Sequence, residues 1–573
     1  MGKILLHMSR MFLCYLAFAG LTIRCTKEYN ESEDGTASSV SYVSLNFLSP
    51  MPSGLTRSNP SGGENGDGQE IGQDYENAVN SAVAFFYKGD DGVNSDGSQL
   101  IQASVAYDNS DIVESDGHIY KTKPRQVDLE NGAYNVLVVT NPGEDWWSGK
   151  VITLNDVRNH IQTDAWKKAE NEYSDFVMAS AEDAHFVLNS NPENAPAAVN
   201  VIVERLAARI DYKADNIYIC SDPEYLGASV EITGASIVNN LTAGCYLVKR
   251  VAETVDAEPI YLGDESPESG VQTNYVIDPW TSDKSSVNND FSIGGISGYP
   301  AYALYGTWFD GGSDDPNWWA SFVKEGTSLS VDNERWMRIG YTMENTTKAG
   351  EAGSRYSTGV VFKAKFHPKG LTNYTDGDTF FALGTKLYSS MEDMMNAFYG
   401  STFNNGFAGV NECKTWGDVK DFALKTLLDN DPSGYNRYLA DLTADKVDED
   451  EIVNTALLDW KYYMLNECGY SKDASGHVAV DLNNKVTRIA LKDYGVRTYE
   501  NATCYYTWWV RHSNDGNDGL NGIMEFAVVR NNIYKLMVTG VYSLGDDVPD
   551  EENIVVDVYV NDWLLLESET LPM

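Results

Sequence analysis

Outside its amino-terminal leader the chain carries six histidines: His118, His160, His185, His367, His477 and His512. None stands at metal-ligand spacing to another histidine or to a cysteine, so the donor pattern of a zinc centre is missing. A G-x-S-x-G elbow, a P-loop and a strand–GxGxxG–helix unit are also missing. With them go the sequence patterns for an activated serine and for a phosphate held on glycine backbone. Acidic pairs are abundant, so counting does not settle a glycosidase carboxylate pair, and none is marked out by its neighbours. Asp310-Gly311-Gly312-Ser313-Asp314-Asp315 and Asn514-Asp515-Gly516-Asn517-Asp518-Gly519 are oxygen-rich loops with calcium-like chemistry. They lack the EF-hand spacing and its closing Glu, and read as solvated turns. Trp146-Trp147, Trp318-Trp319 and Trp508-Trp509 offer faces for stacking on sugar rings, although such pairs more often pack in cores or across strands. Taken together these residues predict no enzyme, no cofactor and no metal.

The cysteines add a redox constraint. Cys14 and Cys25 lie in or beside the leader, which leaves Cys220, Cys245, Cys413, Cys468 and Cys504 with no CxxC pair among them. Five is odd, so a complete intrachain disulfide framework is impossible. The expectation is dispersed, buried thiols; a single bridge is allowed, and the sequence does not pair it.

The elements that must position any function are strands. The chain has 573 residues, 42% of them apolar and 12% aromatic, which is too much for a disordered chain. Lys+Arg number 42 and Asp+Glu 84, a net charge of −42. So acidic a surface repels nucleic-acid phosphates and anionic lipid, which excludes nucleic acid as a partner. The clearest strands are Val83 to Tyr87, Tyr134 to Val139, Val199 to Val203, Gly359 to Phe366, Met524 to Val529, Tyr534 to Val541 and Ile554 to Val560. In Gly359 to Phe366, Val360, Phe362, Ala364 and Phe366 share one face and Lys363 and Lys365 the other. Turn pairs such as Asn131-Gly132 and Asn141-Pro142-Gly143 separate the strands. With irregular spacing and no fixed repeat, the pattern predicts β-sandwiches. A helical segment is expected over about 391–468, with core-facing stripes Val419, Phe422, Ala423 and Leu427, then Val453, Leu457, Trp460 and Met464. A smaller helical patch is expected over Asp164 to Glu172.

Residues 1–24 read as an export signal: Lys3 and Arg10 precede a short apolar run, Met11 to Ile23, too short to span a bilayer. Two endings compete. Ala17-Phe18-Ala19 fits ordinary secretion, whereas Cys25 with Thr26-Lys27-Glu28 fits a lipoprotein start, with Ile23-Arg24 where a lipobox has small residues. Beyond a polar stretch, Ser41 to Leu48 alternates, with Val43, Leu45 and Phe47 on one face. A loop rich in Gly, Asn, Asp and Ser follows, opened by Arg57. Its bland reading is a terminal strand with a surface loop; its sharper reading is a removable strand with a trypsin-like cut between Arg57 and Ser58.

Several segments then resemble a known family. Tyr341-Thr342-Met343-Glu344-Asn345-Thr346 with Ser357-Thr358-Gly359-Val360-Val361-Phe362-Lys363-Ala364 is similar to a core signature of the short-fimbria fimbrillins, shaft pilins of type V pili in anaerobic Gram-negative bacteria. Cys504-Tyr505-Tyr506 with the stretch from Gly522 to Leu536 resembles their C-terminal signature, and Val203 to Arg209 the strand ending their first domain. The resemblance implies a mainly β chain of two transthyretin-like β-sandwich domains with a helical insertion in the second. It implies a propeptide over 25–57, an N-terminal domain over 58–212 and a C-terminal domain over 213–573. It implies export as an outer-membrane lipoprotein acylated at Cys25, whose only membrane contact is that precursor anchor. An Arg-specific protease then cuts at Arg57, ahead of Ser58, and the strand of Val43, Leu45 and Phe47 leaves. A strand from the neighbouring identical subunit, about 553–566, fills the groove with the apolar row Ile554, Val556, Val558 and Val560. Without the family, that row reads as an ordinary last strand. The implied product is a cell-surface fimbrial shaft used in adhesion, with accessory tip and anchor subunits and a host or bacterial receptor. The competing reading is a surface carbohydrate-binding or glycan-degrading lipoprotein, carried by the tryptophan pairs.

Overall fold

A computed structural model of the chain describes residues 40–48, 67–90, 96–115, 119–169, 172–215, 217–252, 260–261, 275–287, 290–293, 296–297, 336–347, 356–390, 393–394, 436, 470–472, 478–480, 496–512, 525–547 and 554–564. The helical stripes expected within 391–468, and the loops 310–315 and 514–519, lie outside the described residues, save Asp393, Met394 and Asn436.

The expectation of a mainly β chain built from β-sandwiches holds. In the first half, ten strands form one sheet. They are β1 (Ser41–Leu48), β3 (Ala82–Lys88), β4 (Ala103–Tyr107), β5 (Ile112–Ser115), β6 (Ile119–Thr122), β7 (Arg125–Val127), β8 (Gly132–Thr140), β9 (Met178–Ser180), β10 (Ala184–Leu188) and β11 (Ala197–Arg205). The order is β4-β3-β8-β9-β11-β1-β6-β5, with β10 on β8 and β7 on β1. Phe86 of β3 and Phe47 of β1 stand far apart in that order yet share one core with Val136, Val138, Val199 and Val201, so the sheet wraps over its own inner face.

The second half contains two larger sheets packed face to face. One contains β2 (Asp67–Ile71), β12 (Ala207–Lys213), β15 (Met337–Met343), β18 (Asn532–Val541) and β19 (Ile554–Leu564), in the order β2-β19-β18-β12-β15. The other is β13 (Tyr218–Ile219), β14 (Ser229–Val238), β16 (Gly359–His367) and β17 (Thr503–Trp509), in that order. The alternation predicted for β16 is realised: Val360, Phe362, Ala364 and Phe366 meet Ile210, Leu536, Val556 and Val558 from the opposite sheet in one core. The two halves are joined at Leu206, where β11 passes straight into β12, so residues 207–213 pair with β15 and β18.

Two local expectations fail. The described residues within 164–172 are not helical: Lys167–Ala169 and Glu172–Ser174 pair as an antiparallel hairpin. That stretch has no apolar stripe to bury as a helix, and Trp166 stacks on Phe176 instead. Met524–Val529 is not a strand either; among the described residues there, Glu525 and Phe526 turn and only Val528 pairs, in a bridge with Asn345. Phe526, Ala527, Val528 and Val529 are all buried in succession, which a half-buried strand with alternating faces does not allow. The expected Asn141-Pro142-Gly143 turn is present, with Asn141 and Gly143 at φ of 50° and 74°.

Candidate functional site

The strand predicted to be removable is an internal strand. β1 lies parallel to β11, with Val43 opposite Ala197 and Leu48 opposite Ile202, and antiparallel to β6 and β7 on its other side. Its burial alternates strictly: Val43 and Leu45 are wholly enclosed and Phe47 nearly so, whereas Tyr42, Ser44, Asn46 and Leu48 face outward half-buried. Burying three such side chains contributes roughly 5–9 kcal/mol gross. Polar contacts fix the register: Leu45 N–H donates to Thr122 Oγ1 at 2.9 Å, Asn46 Nδ2 to Asn200 Oδ1 at 2.9 Å, and Tyr42 N–H to the Asn191 carbonyl at 2.8 Å. Without β1, the ladder groups of β11 on one side and of β6 and β7 on the other would both lack partners, above an open apolar trough.

The row Ile554, Val556, Val558 and Val560 is also buried. β19 runs antiparallel to β18 from Val541–Ile554 to Asn532–Asp562, and parallel to β2 from Asp67–Val560 to Ile71–Leu564. In this structure it is therefore an interior strand of its own subunit. Cys25, Arg57 and Ser58 lie outside the described residues. Arg57 falls in the segment of 66 − 48 = 18 residues between the end of β1 and the start of β2.

A buried ion cluster at the join of the two halves was not foreseen. Arg209, wholly enclosed, pairs with Glu76 at 3.0 Å, with Asp211 at 2.8 Å and with Glu70, and Glu70 also binds Lys535 at 2.9 Å. Glu70 belongs to β2, and Glu76 to the short helix α1 (Asp74–Asn77). Burial alone would push the Glu70 carboxyl up, but Arg209 and Lys535 hold it below its ordinary range. Burial pushes Asp211 up, since it sits deeper and shares Arg209 with two other carboxylates. Beside the cluster, Arg205 donates to the carbonyls of Trp563 at 3.0 Å and Glu76 at 3.1 Å, with its guanidinium 4.4 Å from the Trp563 ring. Burial pushes Arg205 down to about 9. The signal was available in the sequence: Glu204, Arg205, Arg209 and Asp211 interrupt a run that is otherwise apolar, and charges inside such a run are buried only when paired.

Trp318, Trp319, His118, His477, Cys413 and Cys468 lie outside the described residues; the tryptophan pairs that are described pack within the protein. Trp146 stacks on Phe85 and His160, Trp147 meets Phe85 edge-on, and Trp508 and Trp509 pair with Val360 and Gly359 across the ladder. Among the described residues no group of three or more His, Cys, Asp or Glu could hold a metal ion. Cys220, Cys245 and Cys504 are free and buried, and burial pushes their thiols up to about 11, 12 and 12.

Comparison with known proteins gives a definite match at the C-terminal end. Residues 497–569 match the family "Major fimbrial subunit protein type IV, Fimbrillin, C-terminal". That segment is fimbrillin-like. It contains β17, β18 and β19, and with them the predicted donor row. Among solved structures, the chain is similar to a fimbrilin (FimA) from Porphyromonas gingivalis W83 at 12% identity and a TM-score of 0.32, covering 92% of this chain and 99% of that one. It is similar to the tip fimbrial protein Mfa3 from Porphyromonas gingivalis at 10% identity and a TM-score of 0.32, covering 91% and 100%. It is also similar to a protein assigned to cell adhesion from Parabacteroides distasonis at 12% identity and a TM-score of 0.40, covering 91% and 100%. No curated protein matches the sequence.

Proposed function

We propose that this chain is a structural subunit of a surface fimbrium, exported as a precursor and polymerised by strand exchange. The observation that carries the reading is the position of β1. It fills the middle of a sheet, it is uncharged, and its covalent link to the body runs through the segment containing Arg57. A cut at Arg57 would leave β1 held only by non-covalent contacts: its ladder, its three core side chains and its hydrogen bonds to Thr122, Asn191 and Asn200. The body beyond it would stay anchored through Glu70 and Glu76. In the proposed cycle the precursor is acylated at Cys25 and carried to the outer membrane. An Arg-specific protease cuts ahead of Ser58, β1 departs, and β19 of the next identical subunit enters. Tip and anchor subunits bound the shaft, and a host or bacterial receptor is its adhesive target. Because β19 already fills a core of its own, exchange moves the same side chains from one core to another. Polymerisation is then driven by a difference between two burials rather than by a whole one.

The test is a reversible lock. Ser44 lies beside Ala198 in the parallel ladder, and neighbouring strands stand about 4.8 Å apart, within disulfide reach. A Ser44→Cys/Ala198→Cys precursor, oxidised, should be cut at residue 57 yet form no fibre, and reductant should restore assembly. Full fibre formation by the oxidised, cut protein would refute strand exchange. Arg57→Ala should accumulate uncut precursor, read by mass spectrometry of the amino terminus.

A further inference from the structure

The outward surroundings of β1 carry a charge pattern distinct from its apolar inward face. Residues 40–48 contain no ionisable acid or base other than the Tyr42 phenol. On the β11 side the outward neighbours, Ala198, Asn200 and Ile202, are uncharged. On the other side Lys121 stands directly opposite Asn46, with Lys123 two residues on, and both are exposed in a chain of net charge −42. The C-terminal segment is the reverse. From residue 536 to 573 it holds Asp546, Asp547, Asp550, Glu551, Glu552, Asp557, Asp562, Glu567 and Glu569, and no Lys, Arg or His.

Strand periodicity fixes where one of these acids must land. Beside the buried Ser41, β1 offers three inward apolar positions, those of Val43, Leu45 and Phe47, and β19 offers four apolar residues in a row, Ile554, Val556, Val558 and Val560. Three consecutive members of that row can fill the three positions in two registers and two directions. In all four placements Asp557, at the centre of the row, takes the place of either Ser44 or Asn46. The place of Asn46 is directly opposite Lys121, at a Cβ separation of about 5 Å, and is bridged on its far side by Asn200, whose amide can turn to donate. The place of Ser44 is one diagonal step from Lys121, roughly 7–8 Å, within reach of a lysine side chain.

The geometry points to Lys121 as the residue that recognises Asp557 of the incoming copy, with Lys123 beside it, so that charge distinguishes the donor from the uncharged strand it replaces. This rests on the strand-exchange reading, and the experiment separates the two. Full-length precursors carrying Lys121→Glu, Asp557→Lys or both are cut with an Arg-specific protease, and fibre growth is followed by light scattering beside wild type. Melting of the uncut proteins checks that each is folded. Each single variant should slow growth about three- to tenfold, and the double variant should return to within about twofold of wild type. Raised salt should slow wild type, and the single variants less. Growth at the wild-type rate in both singles, or slowing that accumulates in the double, overturns the recognition pair while leaving strand exchange intact. If the cut Ser44→Cys/Ala198→Cys protein grows fibres even while β1 is locked to β11, strand exchange falls and the pair falls with it.

Discussion

The most demanding residue is Arg209, which has three carboxylates around it and no contact with solvent. Removing it leaves buried negative charge without a partner, a cost of about 3–5 kcal/mol. Arg209→Ala should therefore lower the unfolding free energy by that amount in denaturant titration, whereas Arg125→Ala should lower it by under about 1 kcal/mol, because the Arg125 side chain is 44% exposed. Glu70 supplies a pH signature. Its folded carboxyl lies below the ordinary 4.5, so the stability it contributes is present above 4.5 and is lost as pH falls through the lower folded value. Asp211 shifts the opposite way, so the clean measurement compares wild type with Glu70→Gln. The wild-type advantage should be full at pH 7 and should shrink steadily below 4.5.

Among the elements, β1 and β19 were legible because their apolar residues recur every second position between turn-rich segments, and the residues at those positions are the buried ones. Which neighbours they take was not legible. A strand's pairing depends on backbone groups that carry no side-chain signature, so the parallel match of β1 to β11, whose partners are 197 − 43 = 154 positions apart, has no local trace. The hairpin at 167–174 was missed for a related reason: its Tyr173 gains from an edge-on contact with Tyr341, which lies elsewhere in the chain. β1 also makes a prediction of its own. Leu45→Ala empties a wholly enclosed site and should cost about 2–5 kcal/mol in the precursor. Once the chain is cut at Arg57, the same substitution should hasten loss of β1, seen as faster amide exchange at Tyr120 and Val199, its inward neighbours on either flank.

For the whole molecule, the position of β19 revises how the C-terminus can be tested. It runs between β2 and β18 and feeds the shared core, so truncation at residue 553 should unfold the second half rather than yield an intact monomer, as loss of cooperative melting would show. The parallel pairing of β2 with β19 has a last consequence. β2 is an edge strand whose ladder partner is β19. In the proposed exchange, a copy that lends its tail to a neighbour would give up that support at its own newly cut beginning and would keep only the side-chain grip of Glu70 on Arg209 and Lys535. Residues 67–71 would thus become a built-in gauge of assembly. A probe against them, or a nonspecific protease, should find them sheltered in every free subunit and open in every one that has passed its tail along.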